Sequence, residues 1–285
     1  MVHKNQNKQR KRRGPRVLVV EGLPNVENYW QPHELLKLAS KLFKYEWSLE
    51  HEANPLPVNS RDDYLSLRSS ALSVPWKLGL AHYHAGHSLA AIPAALPEDA
   101  PDKSTAAAAF IFTLNSDEGE PFAEALLMTE AHAIAAAQAL RSVIDILADV
   151  IYIALRLSEI KAIPERNRSL LRVAKLVRHV DENLSTDLEA VQTSDVFRYL
   201  SAYVNTTKHR RLVDHHFTWE FEDSRRFGLR FLPFRYEFAE NDVAIFPSKW
   251  TDDFMRESLA FVSETTTRIG QELEALLKVR VDRAA

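Results

Sequence analysis

Glu130-Ala-His-Ala-Ile-Ala-Ala-Ala-Gln-Ala-Leu-Arg-Ser-Val-Ile-Asp-Ile-Leu-Ala-Asp-Val-Ile151 is the stretch on which the fold turns. It sits in a longer segment, Phe122 to about Ile160, with neither glycine nor proline. Leu126, Ala133, Ala137, Leu140, Ile144, Leu147, Ile151 and Ala154 recur at alternating separations of three and four or their sums. That is the seam of a helix packed in a bundle. Alanine costs no side-chain entropy in a helix, so the composition supports the pattern. One helix of roughly ten turns is predicted, at 3.6 residues per turn. Along it Arg141, Asp145 and Asp149 form a charged row at i, i+4 and i+8. The row is either an exposed intrahelical ion-pair ladder or, if Asp145 faces the bundle, an acid that orients a cation or imidazole on a neighbouring helix.

Working outward, the chain toward the N-terminus is punctuated by proline. Residues 1–16 carry seven Lys or Arg and no acid, against 29 bases and 39 acids in the rest. They read as a disordered basic tail, which solubilises the chain or binds nucleic acid or the acidic body by simple electrostatics. Arg16–Val20 is a short β-branched run expected to be extended and buried. Pro32 to Trp47 is amphipathic at helical spacing, with the proline in the first turn. A Pro-Leu-Pro loop at 55–57 follows, then a helix from near Asp62 that Pro75 should kink or restart. Pro93, Pro97 and Pro101 mark a loop, and Ala106–Leu114 suits either helix or strand. Residues 115–121 make a turn. The domains expected are therefore the tail, an N-terminal helical extension over 17–115, and a helical domain over 116–285.

Beyond Pro164, Leu170, Leu171, Ala174 and Val177 give one apolar side, while Arg168, Arg172 and Lys175 form a basic row. That row is a solvated face or a phosphate track. Ser194 caps a further helix, with Phe197, Leu200 and Val204 at core spacing. Its polar residues have their own geometry. Arg198, Asn205 and His209 are separated by seven and four residues and share one side. Lys208, Arg210 and Arg211 surround the last turn. An amide, an imidazole and several cations together suit an anionic ligand, and RNA phosphate is the candidate. The structural alternative is cations serving the helix dipole and free carbonyls. From His216 the period changes to two, through Phe221, Leu229–Phe231, Phe234–Phe238 and Val243–Phe246, which predicts a small antiparallel β meander with Pro233 at an edge or bulge. Thr251 is placed as the cap of a closing helix to about Val281.

The Glu130–Ile151 segment paired with Asn205-Thr-Thr-Lys-His-Arg-Arg-Leu-Val213 resembles bacterial members of the HEPN superfamily, in particular a branch with an Asn-x-x-Lys-His-Arg signature, a strand hairpin and a closing helix. The resemblance covers about 120–281. It implies a mainly α fold, a HEPN-like helical bundle with the small β meander near the C-terminus. It also implies RNA as partner, a homodimer with a composite cleft, and in some members metal-independent endoribonuclease activity in defence or stress response, under an antitoxin or regulatory partner. Transferred residue by residue, Asn205, His209 and Arg210 are the catalytic candidates, and Arg198, Lys208 and Arg211 bind substrate. Asp145 is the orienting acid suggested above. The superfamily pattern places an Arg before the polar residue, where this chain has Val204, so Arg198 or Arg210 must substitute. A second frame pairs Arg210 with His215 and Arg211 with His216. A non-catalytic helical scaffold or regulator is the alternative function.

Other chemistries are narrowed by composition. The chain has no cysteine, which excludes disulfides and thiol catalysis and fits a cytoplasmic location. Seven scattered glycines leave no phosphate-binding glycine loop, and no cofactor is expected. No run approaches a membrane span of roughly 20 apolar residues. His82, His84 and His87 suggest metal ligands, but helical geometry turns His82 away from the other two, so no metal is assigned.

Overall fold

The computed structural model describes residues 61–100, 102–113, 117, 119–220, 226–239 and 242–284. The expectations for the basic tail, Arg16–Val20, the 32–47 segment and the 55–57 loop lie outside these residues, as do residues 115, 116 and 118 of the 115–121 turn. Seven α-helices are described: α1 (Arg61–Ala94), α2 (Lys103–Thr113), α3 (Glu120–Ala154), α4 (Leu170–Val177), α5 (Glu182–Thr193), α6 (Asp195–His209) and α7 (Thr251–Ala284). Five strands, β1 (His215–Trp219), β2 (Phe227–Phe231), β3 (Phe234–Ala239), β4 (Asp242–Phe246) and β5 (Lys249–Trp250), lie between α6 and α7. The chain is mainly helical with a small antiparallel β region near its C-terminus, as the periodicities predict. No helix among the described residues is long and apolar enough to cross a membrane.

Helix α3 is the central strut, and its seam is buried from Ala133 onward: Ala133, Ala137, Leu140, Ile144 and Ile151 have no exposed surface, while Leu126 is half-buried. Small alanines at 133, 136 and 137 let neighbouring backbones approach closely, while the larger residues further on fill the wider space between helices. Helix α1 runs antiparallel to it. The Ser88 hydroxyl donates to the Thr129 carbonyl at 2.9 Å, His84 meets His132, and the Ser70 hydroxyl donates to the Asp149 carboxylate at 2.8 Å. Leu67, Ala71, Leu78 and Ala81 of α1 belong to the same apolar core as α3, α6 and α7. The boundary expected at 115/116 therefore does not separate two cores.

Three helical boundaries differ from the sequence expectation. α1 runs on through Pro75, which excludes only the restart there, and it continues through Pro93 to Ala94, where a loop was expected. α3 stops at Ala154 rather than near Ile160, because Arg156 turns into the left-handed region at φ 54°. Leu157, fully buried just after it, holds that turn in place. The Tyr152 hydroxyl then clamps the following linker, donating to the Lys161 carbonyl and accepting from the Ile163 N–H, both at 2.9 Å. Helix α5 was not expected. Its signal was present in Leu184, Leu188 and Val191, with Asp181 as a cap whose carboxylate accepts from the Leu184 N–H at 2.8 Å. The ambiguous alanine run is α2. Thr251 does not cap α7 from outside; it is the first helical residue, and its buried hydroxyl has no partner.

The strands divide into two sheets. β1, β2 and β5 form one in that order, with His215 opposite Phe231 and Arg230 opposite Trp250. β3 and β4 form a separate hairpin, with Phe234 opposite Phe246 and a register shift between Glu237 and Ala239. Pro233 falls between β2 and β3, outside either ladder. The inward aromatics of both sheets meet α6 and α7: Tyr199 packs on Phe234, Phe246 and Phe254, and Tyr203 on Phe231 and Phe254.

Candidate functional site

Helix α6 begins as predicted, with the Ser194 hydroxyl accepting from the Phe197 N–H at 3.2 Å. Phe197, Leu200 and Tyr203 are at most 1% exposed. The helix ends at His209, and the Arg210 N–H, already outside regular helix, donates back to the Thr206 carbonyl at 3.0 Å. Asn205 is half-buried, and Lys208, His209, Arg210 and Arg211 are all exposed. Among the described residues no acid pairs with Lys208, His209, Arg210 or Arg211. Arg210 lies over the Tyr236 ring, 5.5 Å from its centre. The tip of α6 is thus an open set of cations beside an amide, an imidazole and an aromatic ring.

Two expected members are elsewhere. Arg198 is held by the β3–β4 hairpin: its guanidinium donates to the Asp242 carboxylate at 2.9 Å and stacks 4.3 Å from the Phe238 ring. The hydrogen bond to Arg198 keeps the Asp242 carboxyl below the usual carboxylate range. Arg198 therefore anchors a hairpin and does not stand open as a phosphate ligand. Asp145 does not orient the α6 tip. It is exposed and pairs with Arg141 on its own helix at 2.5 Å. Arg141 in turn sits over Phe197, near the start of α6, whereas Glu130 lies level with Tyr203, toward its end. Fifteen residues separate Glu130 from Asp145, about 22 Å of helix at 1.5 Å per residue. Asp145 and His209 belong to opposite ends of the helix pair.

Asp145 instead borders a cleft of about 750 Å³ with Asp149, Arg166 and Arg168. The cleft's innermost acid is already satisfied: Asp149 accepts from Arg168 at 2.5 Å and from Ser70 at 2.8 Å. Arg168 also stacks 4.3 Å from the Tyr152 ring. Of the proposed basic row, Arg168 is thereby committed to structure, Arg172 donates to the Asn167 carbonyl, and Lys175 is exposed.

The second Arg–His frame is divided by the strand. His216 is exposed, while the His215 ring is sealed against Tyr203 and Phe231, and its Nδ1 lies 3.2 Å from a Glu130 carboxylate oxygen. Burial drives His215 down to about 4 and pushes Glu130 up. Near neutral pH the imidazole is uncharged, so the contact with Glu130 is not an ion pair. The other ring nitrogen, Nε2, is buried without a partner, as is the Tyr203 hydroxyl. Arg210 and His215 thus do not form an open pair.

The histidines of α1 separate as helical geometry requires. His82 faces the core, and burial lowers it to about 4. His84 and His87 turn to α3, where His132 joins them. His84 Nδ1 and His132 Nδ1 are 2.9 Å apart, His87 stacks on His132, and Tyr83 packs edge-on against all three rings. Burial, then the neighbouring imidazoles, lowers the pKa of His84 and of His132. No group of three or more acidic or histidine side chains among the described residues is arranged to hold a metal. His132 was missed in the sequence because its partners lie some fifty residues away on another helix.

No protein-family model, curated protein or solved structure matches this chain.

Proposed function

We propose that this chain is an RNA-binding protein that contacts phosphates through the C-terminal tip of α6, with metal-independent endoribonuclease chemistry at Asn205 and His209. One observation carries this reading. Lys208, His209, Arg210 and Arg211 are consecutive and exposed, and among the described residues no acid pairs with them. Cations so placed bind the polyanion backbone by releasing its counterions. The Tyr236 ring beneath Arg210 adds an aromatic surface of the kind on which single-stranded bases stack. The HEPN resemblance supports the chemical step and its setting in defence or stress response.

In that step the ribose 2′-oxygen attacks the adjacent phosphorus and the bond to the 5′-oxygen breaks. One proton leaves the 2′-hydroxyl and one reaches the departing 5′-oxygen. His209 is the group able to carry a proton, while Asn205 and Arg210 steady the phosphate oxygens as charge builds. A second copy of the chain, as the resemblance implies, would bring a second imidazole for the second transfer.

The other reading, a non-catalytic scaffold or regulator, is favoured by Arg198 and Asp145. Both are spent on internal ion pairs, leaving His209 without an orienting acid. Cleavage of a mixed RNA pool in EDTA separates the two readings, using the full chain and His209→Ala. Fragments with 2′,3′-cyclic phosphate ends from the wild type and none from the variant are expected. Salt-sensitive binding without cleavage would leave the scaffold reading with an RNA partner. Neither binding nor cleavage would end the nucleic-acid reading.

A further inference from the structure

Three imidazoles meet where α1 packs on α3, and none of them enters the reading of the α6 tip. His84 Nδ1 and His132 Nδ1 face each other across the two helices at 2.9 Å, although forty-eight residues separate them in the chain. The backbone beneath them is fixed. Ala85 and Ala133, the next residue after each, are 2% and 0% exposed, and the Ser88 hydroxyl holds the Thr129 carbonyl about one turn away. The two rings are themselves half-buried, so solvent reaches them. Burial, then the neighbouring imidazoles, holds both below the ordinary histidine range, which leaves them neutral near pH 7. A pair of neutral rings at this distance shares a hydrogen bond, from an Nδ1–H of one to the lone pair of the other. The same approach also fits a chelate. Imidazole nitrogens bind first-row divalent ions at about 2.0–2.1 Å. Two nitrogens on one ion at a right angle then stand about 2.9 Å apart, whereas a tetrahedral angle sets them at about 3.3 Å. Right-angled nitrogen pairs are the preference of Cu²⁺ and Ni²⁺.

We propose that His84 and His132 chelate a divalent ion of tetragonal preference, Cu²⁺ or Ni²⁺, through their two Nδ1 atoms and so tie α1 to α3. When the ion enters, the ring that carried Nδ1–H moves that proton to Nε2. Both rings stay neutral, no proton is released, and water fills the remaining positions on the ion. His87 is a support and not a ligand. Its ring stacks on His132 with 23° between the planes and 5.1 Å between the centres, so it lies alongside the chelating ring. No third acidic or histidine side chain among the described residues converges on the pair, which sets the protein's share at two nitrogens. Tyr83 packs edge-on against His84 and His87, at 5.2 and 4.3 Å between ring centres, and closes one side of the cluster. Such flanking contacts fix the orientation of ligating rings before the ion arrives.

Calorimetric titration of the full chain with Ni²⁺ tests this, with His3→Ala in every sample so that His3 and the terminal amine do not compete. One saturable site per chain is expected. His84→Ala and His132→Ala should each weaken it at least about tenfold, because the second nitrogen of a chelate binds intramolecularly. His87→Phe keeps a stacking ring without a nitrogen and should bind like the parent, as should exposed His179→Ala. Ni²⁺ should also raise the urea midpoint of the parent and leave that of His132→Ala in place, since only the folded chain brings the two nitrogens together. The Cu²⁺ electron paramagnetic resonance spectrum of the parent supplies a readout that needs no ligand variant, and splitting from two ring nitrogens is expected. Equal affinity in the parent and in His132→Ala would overturn the proposal, because the ion would then sit elsewhere. So would splitting from a single ring, or a loss in His87→Phe as large as in His132→Ala. Absence of saturable binding would reduce the pair to its hydrogen bond and overturn the proposal as well.

Discussion

The flank and the tip of α6 are made from the same kinds of residue and have opposite fates. Along the flank, Phe197 is buried under Arg141, Tyr199 and Tyr203 are locked among Phe231, Phe234, Phe246 and Phe254, and the one cation there, Arg198, is captured by Asp242. At the tip, Lys208 to Arg211 are exposed, and among the described residues no acid pairs with them. The difference comes from what lies opposite. A hairpin covers the flank and brings a carboxylate, whereas the tip runs past the last turn into an irregular link before β1. Helical spacing places Arg198 and His209 on one side, but the partner from a distant segment decides which of them is free to bind.

The largest expected effect falls on the flank. Phe197→Ala removes a fully enclosed ring that Arg141 also covers. A loss of about 3–5 kcal/mol is expected from urea unfolding, the usual range for a large aromatic emptied from a core. A loss under about 1 kcal/mol would mean that the flank is loosely packed and that the contrast with the tip is overstated.

Next is the acid limb of stability. His215 titrates near 4 when folded and near 6.5 when unfolded. The unfolded chain therefore takes up the proton first, so stability is full above the unfolded value and declines as pH falls from about 7 to 4. This one group should account for roughly 3 kcal/mol of that decline. His215→Gln should flatten the profile in this window, read as urea midpoint against pH. An unchanged profile would place the titrating groups elsewhere, with buried His82 the first to examine.

At the tip the effects should appear in binding and leave stability alone. Lys208→Ala and Arg211→Ala should each lower the salt slope of single-stranded RNA binding by about 0.7, the value for one phosphate contact. Their urea midpoints should stay at the wild-type value. Arg198→Ala should do the reverse, lowering the midpoint by well under half the Phe197→Ala effect and leaving the salt slope alone. If Arg198→Ala changes the slope instead, Asp242 releases it to RNA and the two regions act as one surface.

How much of this was legible depended on range. The seam of α3, the Ser194 cap and the strand alternation after His216 are local patterns, and each is realised. The stop at Ala154 was not legible, because it depends on a left-handed Arg156 held by buried Leu157, and nothing in Arg-Leu-Ser-Glu announces that conformation. The packing that unites α1 with α3 was hidden because it joins residues some forty to eighty apart. Of the site, exposure of the tip follows from its run of charges. The pairings that disqualify Arg198 and Asp145 do not follow from local pattern: Asp242 lies forty-four residues from Arg198, and the charged row on α3 admitted two readings.

Asp145 gives the smallest effect and the sharpest test of that last point. Its carboxylate is half exposed and pairs with Arg141, one turn earlier. An i, i+4 pair of this kind stabilises a helix by a few tenths of a kcal/mol, and salt screens it. Asp145→Asn should therefore move the urea midpoint barely at all. Because about 22 Å of helix lies between its level and that of Glu130, it should not alter RNA binding or cleavage either. An orienting acid behaves differently: its removal lowers turnover more than affinity and shifts the pH profile of the imidazole it supports. If Asp145→Asn produces that signature while Lys208→Ala does not, the active group lies at the start of α6 beside the cleft of Asp149 and Arg168. The tip would then be no more than a capped helix end.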